Sequence, residues 1–257
     1  MPRCTALPAT EDVDWTEERI APGLDEYSRM HLEWDLAGLR DGGRQADVVV
    51  VVDVLSFSTA VVAAVEHGVT VHPYRFNDEY ASRVADRLGA VLAGPRPAEV
   101  SLSPPSLARL PGGSVVVLPS PNGATLALEA AAMGATVIAG CLRNALAVGR
   151  FLAGQQRRVL VLAAGERWRD GTFRVAVEDL LGAGAVLSGV PEGDLSAEAK
   201  VAVAAFRSSR ADVEAVLRSC TSGRELSAVG ATEDVLWAAA LDASDVVPVL
   251  RDGRFEP

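Results

Sequence analysis

Five consecutive valines, Val48 to Val52, are followed at once by a carboxylate, Asp53. An unbroken β-branched run has no polar face to give to solvent, so it folds as a strand covered on both sides, the habit of a parallel sheet packed between helices. A carboxylate at the end of such a strand is costly to bury alone. It must be paired, metal-bound or catalytic. The segment from Ser58 to His67 then reads as a helix, closed by Gly68 where a left-handed cap is wanted.

A second unit has the same layout. Val115 to Leu118 reads as a strand, Ser120-Pro121-Asn122-Gly123 as a turn, Thr125 to Met133 as a helix and Gly134 as its cap. Thr59 and Thr125, Gly68 and Gly134, Thr70 and Thr136, and Val71 and Val137 pair at a single offset, 125 − 59 = 66 and 137 − 71 = 66. We read an internal repeat of strand-loop-helix units, with convergence of two short units as the plainer alternative. If the units are repeats, two helix N-termini can face one shared ligand.

A third strand, Val159 to Leu162, runs through Ala163-Ala164-Gly165 into an arginine-rich loop, Arg167-Trp168-Arg169-Asp170-Gly171, and then into a helix carrying Glu178-Asp179. Helices are expected from Ser196 to Arg207, from Asp212 to Arg218 and from Thr232 onward. Upstream, Met30, Leu32, Trp34 and Leu36 alternate with polar residues as in a half-buried strand, ahead of a loop at Gly42-Gly43. Strands alternating with helices imply a three-layer α/β/α sandwich with a mostly parallel sheet. We assign residues 27–257 to this domain and residues 1–26 to an acidic extension. The site belongs outside the carboxyl ends of the strands.

The 24 basic residues against 34 acidic ones give 24 − 34 = −10, with no basic cluster, so no nucleic-acid partner is expected. Three widely spaced cysteines, Cys4, Cys141 and Cys220, do not form a disulfide framework. No apolar run approaches a membrane span, and the acidic N-terminus is unlike a signal peptide. The expected setting is cytoplasmic, with no membrane partner.

Each strand end is candidate chemistry. At the first, Asp53 stands before Ser58 and Thr59, whose hydroxyls could hold an anion or merely cap the helix. At the second, Asn122 can donate an amide N–H, Gly123 permits close backbone approach, and Thr125 follows; a plain turn is the alternative. At the third, Glu178 and Asp179 point about 100° apart, so one faces the site while the other is solvated or capping. We take Asp179 first and Glu178 second. Arg143-Asn144 could supply a fork for a phosphate or carboxylate, or simply a solvated helix start.

Several chemistries are excluded by spacing. The residue two beyond Asp53 is Leu55, which rules out an Asp-x-Asp phosphatase; Cys141 and Cys220 have Ala147 and Leu226, not arginine, six positions on. No phosphate-binding Gly-x-x-x-x-Gly-Lys or dinucleotide-type Gly-x-Gly-x-x-Gly follows a strand, and His31, His67 and His72 lack zinc-ligand spacing. Oxygen chemistry remains: carboxylates for a hard cation beside helix ends suited to an anion.

The run Val51 to Ala60, the Ser120-Pro121-Asn122-Gly123 turn with Thr125, Ala139 to Asn144, Ala163 to Gly184, and Ser222-Gly223-Arg224-Glu225-Leu226 with Asp234 together resemble, in order, the 2-phosphosulfolactate phosphatase family. The resemblance covers about residue 27 to the C-terminus. It implies a phosphatase of α/β fold that acts with magnesium on a small anionic phosphate monoester. Asp53 and Asp179 would be catalytic, and Asp53, Glu178 and Asp179 would hold the metal. Ser58, Thr59, Asn122, Gly123, Thr125, Arg143 and Asn144 would bind substrate. Two positions depart from the family pattern: Ser56-Phe57 stands where Arg-Ala is usual, and Pro95 follows Gly94 where a glutamate is usual. These departures motivate a rival reading beside the leading one, a non-catalytic anion-binding paralogue that keeps the fold. A homodimer is expected, with Trp34, Trp168 and the N-terminal segment at its surface.

Overall fold

The computed structural model describes residues 24–257, and the expected extension lies largely outside them. Its strands are β1 Met30–Trp34, β2 Val48–Val52, β3 Thr70–Tyr74, β4 Val91–Leu92, β5 Val115–Pro119, β6 Thr136–Gly140, β7 Val159–Ala163, β8 Glu166–Arg167, β9 Phe173–Arg174, β10 Val249–Arg251 and β11 Arg254–Glu256. The α-helices are α1 Asp35–Gly42, α2 Phe57–Glu66, α3 Glu79–Leu88, α4 Pro104–Ala108, α5 Gly123–Ala132 and α6 Ala145–Ala153. They continue as α7 Val177–Leu187, α8 Ala197–Ser209, α9 Val213–Ser219, α10 Thr221–Ala228 and α11 Thr232–Ala239.

Nine strands form one sheet in the order β1-β7-β2-β6-β10-β11-β3-β5-β4. It is mixed but mostly parallel: β1, β7, β2 and β6 make one parallel set, β3, β5 and β4 another, and the antiparallel hairpin β10–β11 joins them. The valine run is covered on both faces. Val48, Val50 and Val52 enter one hydrophobic cluster with α7 and α8, whereas Val49 and Val51 enter the other with α2 and α5. This is the α/β sandwich that the run demanded.

The repeat is visible in the elements themselves. Helices α2 and α5 begin 123 − 57 = 66 residues apart, and β3 and β6 begin 136 − 70 = 66 apart. Pairing is crosswise: β2 lies along β6 with Val48 opposite Thr136, and β3 along β5 with Thr70 opposite Val115. Each unit thus gives its first strand to the last strand of the other. Gly68 and Gly134 close the helices at φ +74° and +90°, a region costly for residues with a Cβ.

Two local readings are corrected. The strand at Met30 ends at Trp34, because Asp35 takes φ +56° and turns the chain into α1; Leu36 therefore packs from a helix, and Gly42-Gly43 continues as helical turn. Of the two tryptophans expected at a dimer surface, Trp34 is half-buried with its ring edge-on to Phe173 at 5.9 Å, and Trp168 is exposed. Among the described residues, no helix is long and apolar enough to cross a membrane.

Candidate active site

Asp53 leaves β2 and turns its carboxylate between the first residues of α2 and α5. The Phe57 N–H donates to Oδ1 and the Gly123 N–H to Oδ2, each at 3.0 Å. These donors are equivalent residues of the repeat. The anion that the two helix ends share is therefore the chain's own carboxylate, placed where both helix dipoles favour negative charge. Gly123 is required there: a Cβ would lie 2.3 Å from Phe57 Cδ1 and 2.7 Å from Asp53 Oδ2. Burial pushes the Asp53 carboxyl up to about 6, and the two backbone N–H groups work against that rise.

Asp53 opens onto a cavity of about 390 Å³ whose wall includes Ser56, Arg96, Asn122, Glu166 and Glu225. Asn122 Nδ2 donates to Glu166 Oε2 at 3.1 Å. Burial, then the neighbouring Asp53 charge, pushes Glu166 up to about 7. Three strand ends converge here, those of β2, β5 and β7.

Asp179 sits just behind this wall. Its Oδ1 accepts the Val54 N–H at 2.7 Å and its Oδ2 the Gly165 N–H at 2.9 Å, so it ties the exit of β2 to the exit of β7. Burial raises its pKa well above the ordinary value, followed by the charges of Asp53 and Glu178. It positions Glu166 through Gly165 and is not part of the cavity wall. Glu178 is also buried, so neither carboxylate is solvated. Its charge bears on Asp53, Asp179 and Glu166.

Several expected ligand groups are committed elsewhere. Ser58 Oγ donates to Val51 O at 2.7 Å and accepts the Asp53 N–H at 3.1 Å, and Thr59 Oγ1 donates to Val54 O at 2.7 Å. Both hydroxyls build the strand-to-helix turn, and both residues are fully buried. Thr125 Oγ1 is buried without a partner among the described residues, off the cavity wall. Arg143 pairs with Glu66 at 3.2 Å and lies 4.7 Å from the Trp237 ring centroid. Asn144 bonds Cys141 N, Ala139 O and Val246 O. The chain at residues 242–246, on its way to β10, bonds the segment after β6, and neither Arg143 nor Asn144 lines the cavity at Asp53.

Among the charged residues on the cavity wall, Glu166, Glu225 and Arg96 were not chosen as site residues from sequence. Glu166 carried the same sign as Asp53, an acid just past a buried strand. Arg96 carried none: it stands in a proline-flanked loop after the short edge strand β4. Yet its Nη2 donates to Ser56 Oγ at 2.9 Å, so a guanidinium reaches the position where Ser56 stands in place of arginine.

The donor set suits a hard divalent cation sparsely held. Asp53 and Glu166 present carboxylate oxygens on one wall and their charges oppose each other, which a cation would relieve. Among the described residues no three His, Cys, Asp or Glu side chains converge as a closed metal cage. Magnesium, which keeps several waters and takes one or two carboxylates, fits that geometry; the expected trio Asp53, Glu178 and Asp179 does not form it, because neither Glu178 nor Asp179 is on the cavity wall.

A family profile described as 2-phosphosulpholactate phosphatase matches residues 37–253. The chain belongs to this family. It is 31% identical over 212 residues to the "2-phosphosulfolactate phosphatase" of Methanothermobacter thermautotrophicus, covering 80% of this chain and 88% of that one. It is 33% identical over 218 residues to the "Probable 2-phosphosulfolactate phosphatase" of Thermus thermophilus, covering 80% and 88%. The protein of the same name from Deinococcus radiodurans is 30% identical over 223 residues, covering 82% and 90%. The family match thus spans all three strand ends that meet at the cavity.

Proposed function

We propose that this chain hydrolyses a small phosphate monoester bearing a further acidic group, 2-phosphosulfolactate or a close analogue, with magnesium held at Asp53 and Glu166. The observation that carries the reading is the Asp53 carboxylate, fixed at both oxygens by equivalent backbone N–H groups and open to a cavity of about 390 Å³. Magnesium, when bound, would neutralise phosphoryl charge and orient a water. Each Asp53 oxygen accepts one N–H, and its remaining lone pairs would be open to the cation. Asn122 holds Glu166 in place, and Asp179 fixes the backbone before it. The test is release of inorganic phosphate from 2-phosphosulfolactate, 2-phospholactate and isopropyl phosphate, with magnesium or with a chelator. Turnover that needs magnesium and favours the acidic esters is expected. No turnover of any ester, with sulfolactate still bound in calorimetry, would instead support the non-catalytic paralogue; full turnover in chelator would remove the metal.

The crowded acids also set a pH dependence. Burial raises Asp53 to about 6 and Glu166 to about 7, against ordinary values near 4, so the folded state binds more protons than the unfolded one between about pH 4 and 7. Their contribution is fully present below about pH 4 and is lost as pH rises through 6 and 7. The difference in melting temperature between the wild type and Asp53→Asn should therefore grow in favour of the wild type on moving from about pH 8 to about pH 5.5. Magnesium should raise the wild-type melting temperature at the higher pH and much less at the lower, where protons occupy the same oxygens. A pH-independent difference, or equal magnesium shifts at both pH values, would contradict a cluster of opposed carboxylates.

A further inference from the structure

We infer that Arg96 is the specificity residue of this site, binding the second acidic group of the substrate while the phosphate lies against Asp53. The inference rests on the hydrolase reading only for the identity of the phosphate. Among the described residues lining the cavity, Arg96 is the one cation; the charged groups that share the wall with it are Asp53, Glu166 and Glu225. A substrate with two anionic groups needs two places of positive potential. A metal at the carboxylates would supply one, and Arg96 is the one side chain among the described residues of the wall with a positive charge for the other.

Its guanidinium is held like a fixture. Nε donates to Asp234 Oδ2 at 2.7 Å, and Nη2 donates to Ser56 Oγ at 2.9 Å and to Leu102 O at 2.7 Å. The three partners come from α11, the turn after Asp53 and the loop before α4, so both the position and the plane of the group are set. Asp234 is itself immobile: it is buried, and its Oδ1 accepts the Ser103 hydroxyl at 2.6 Å. A guanidinium has five N–H donors. The two on Nη1 have no partner among the described residues, which leaves one nitrogen free to donate to an incoming carboxylate or sulfonate.

Compactness follows from the chain. Ser56 lies three residues from Asp53, inside the turn whose next residue, Phe57, clamps the Asp53 carboxylate. The Arg96 anchor and the phosphate site are thus tied to one short segment. The pocket therefore matches esters whose second anion sits close to the ester oxygen, and it discriminates against neutral esters of equal size. Asp234 keeps the guanidinium from collapsing onto Asp53 and Glu166, which would fill the metal position.

The experiment compares 2-phospholactate with isopropyl phosphate, which replaces the carboxylate by a methyl group. Arg96→Gln is expected to lower kcat/KM on phospholactate by about 10- to 100-fold, mostly through KM, and to have an effect at least about tenfold smaller on isopropyl phosphate. Arg96→Lys, which keeps the charge and loses the fork, should fall between, and it serves as the folded control if the glutamine variant melts early. Equal loss on both esters, or no loss, overturns the assignment. Sulfolactate binding by calorimetry separates this from the hydrolase reading. Wild type that turns over neither ester but binds sulfolactate, with binding lost in Arg96→Gln, removes the hydrolase and upholds Arg96. Wild type that neither turns over ester nor binds sulfolactate removes both.

Discussion

Asp53→Asn is expected to lower phosphate release by on the order of a thousandfold while leaving the fold intact, a loss of the size seen when one preorganised charged group is taken from a reacting centre. Asparagine matches aspartate in shape, so the change is chemical. Both carboxylate oxygens accept a backbone N–H, from Phe57 and from Gly123. Whichever way the new amide turns, its NH2 group meets one of those donors, and an unpaired buried donor costs about 1–3 kcal/mol. Removing a buried charge from beside Glu166 and Asp179 acts in the opposite direction, so the net change in stability is expected to be small. The same substitution should bring the Glu166 pKa down, because Asp53 is, after burial, the largest cause of its rise. Phosphate release, circular dichroism and a Glu166 titration by NMR separate these effects. Turnover within about tenfold of wild type would mean that the chemistry does not run through Asp53.

Much of this was legible in the sequence for one physical reason: burial is expensive for the wrong residue. Five valines admit only a strand covered on both faces, and an acid at its end must be used. The repeat was legible because matched residues mark matched turns, as at Gly68 and Gly134. What the two N-termini hold was not legible, since a backbone N–H leaves no trace in residue type. The same limit hid the role of Asp179: helix spacing can point it inward but cannot show that its oxygens accept the Val54 and Gly165 N–H groups behind the cavity wall. Arg143 and Asn144 form a convincing local fork, yet residues about a hundred positions later cover them. Arg96 is the reverse case, silent in its own loop and brought to Ser56 across a separation of 40 residues by the sheet order. Long-range pairing decides both, and a single chain read locally does not contain it.

Gly123→Ala puts the two-helix clamp to its most direct trial, because it alters no charge and no hydrogen-bonding group. The added methyl would stand 2.3 Å from Phe57 Cδ1, 2.6 Å from its Cγ and 2.7 Å from Asp53 Oδ2. The Phe57 ring cannot swing away: it is fully buried and packs edge-on to Phe255 at 6.0 Å. Relief must come from α5 sliding back, which lengthens the Gly123 N–H contact to Asp53 and shifts Asn122, hence Glu166. Overpacking of this kind costs about 1–3 kcal/mol, or roughly 2–12 °C in melting temperature for a chain of this size. A displacement of about 1 Å at a reacting group costs on the order of a hundredfold in turnover. Gly193→Ala is the matched control, since a Cβ there meets nothing within 4 Å and the residue is exposed. Wild-type turnover in both variants would show that Asp53 keeps its place without the second helix, and the equivalence of Phe57 and Gly123 would then be a matter of folding rather than of catalysis.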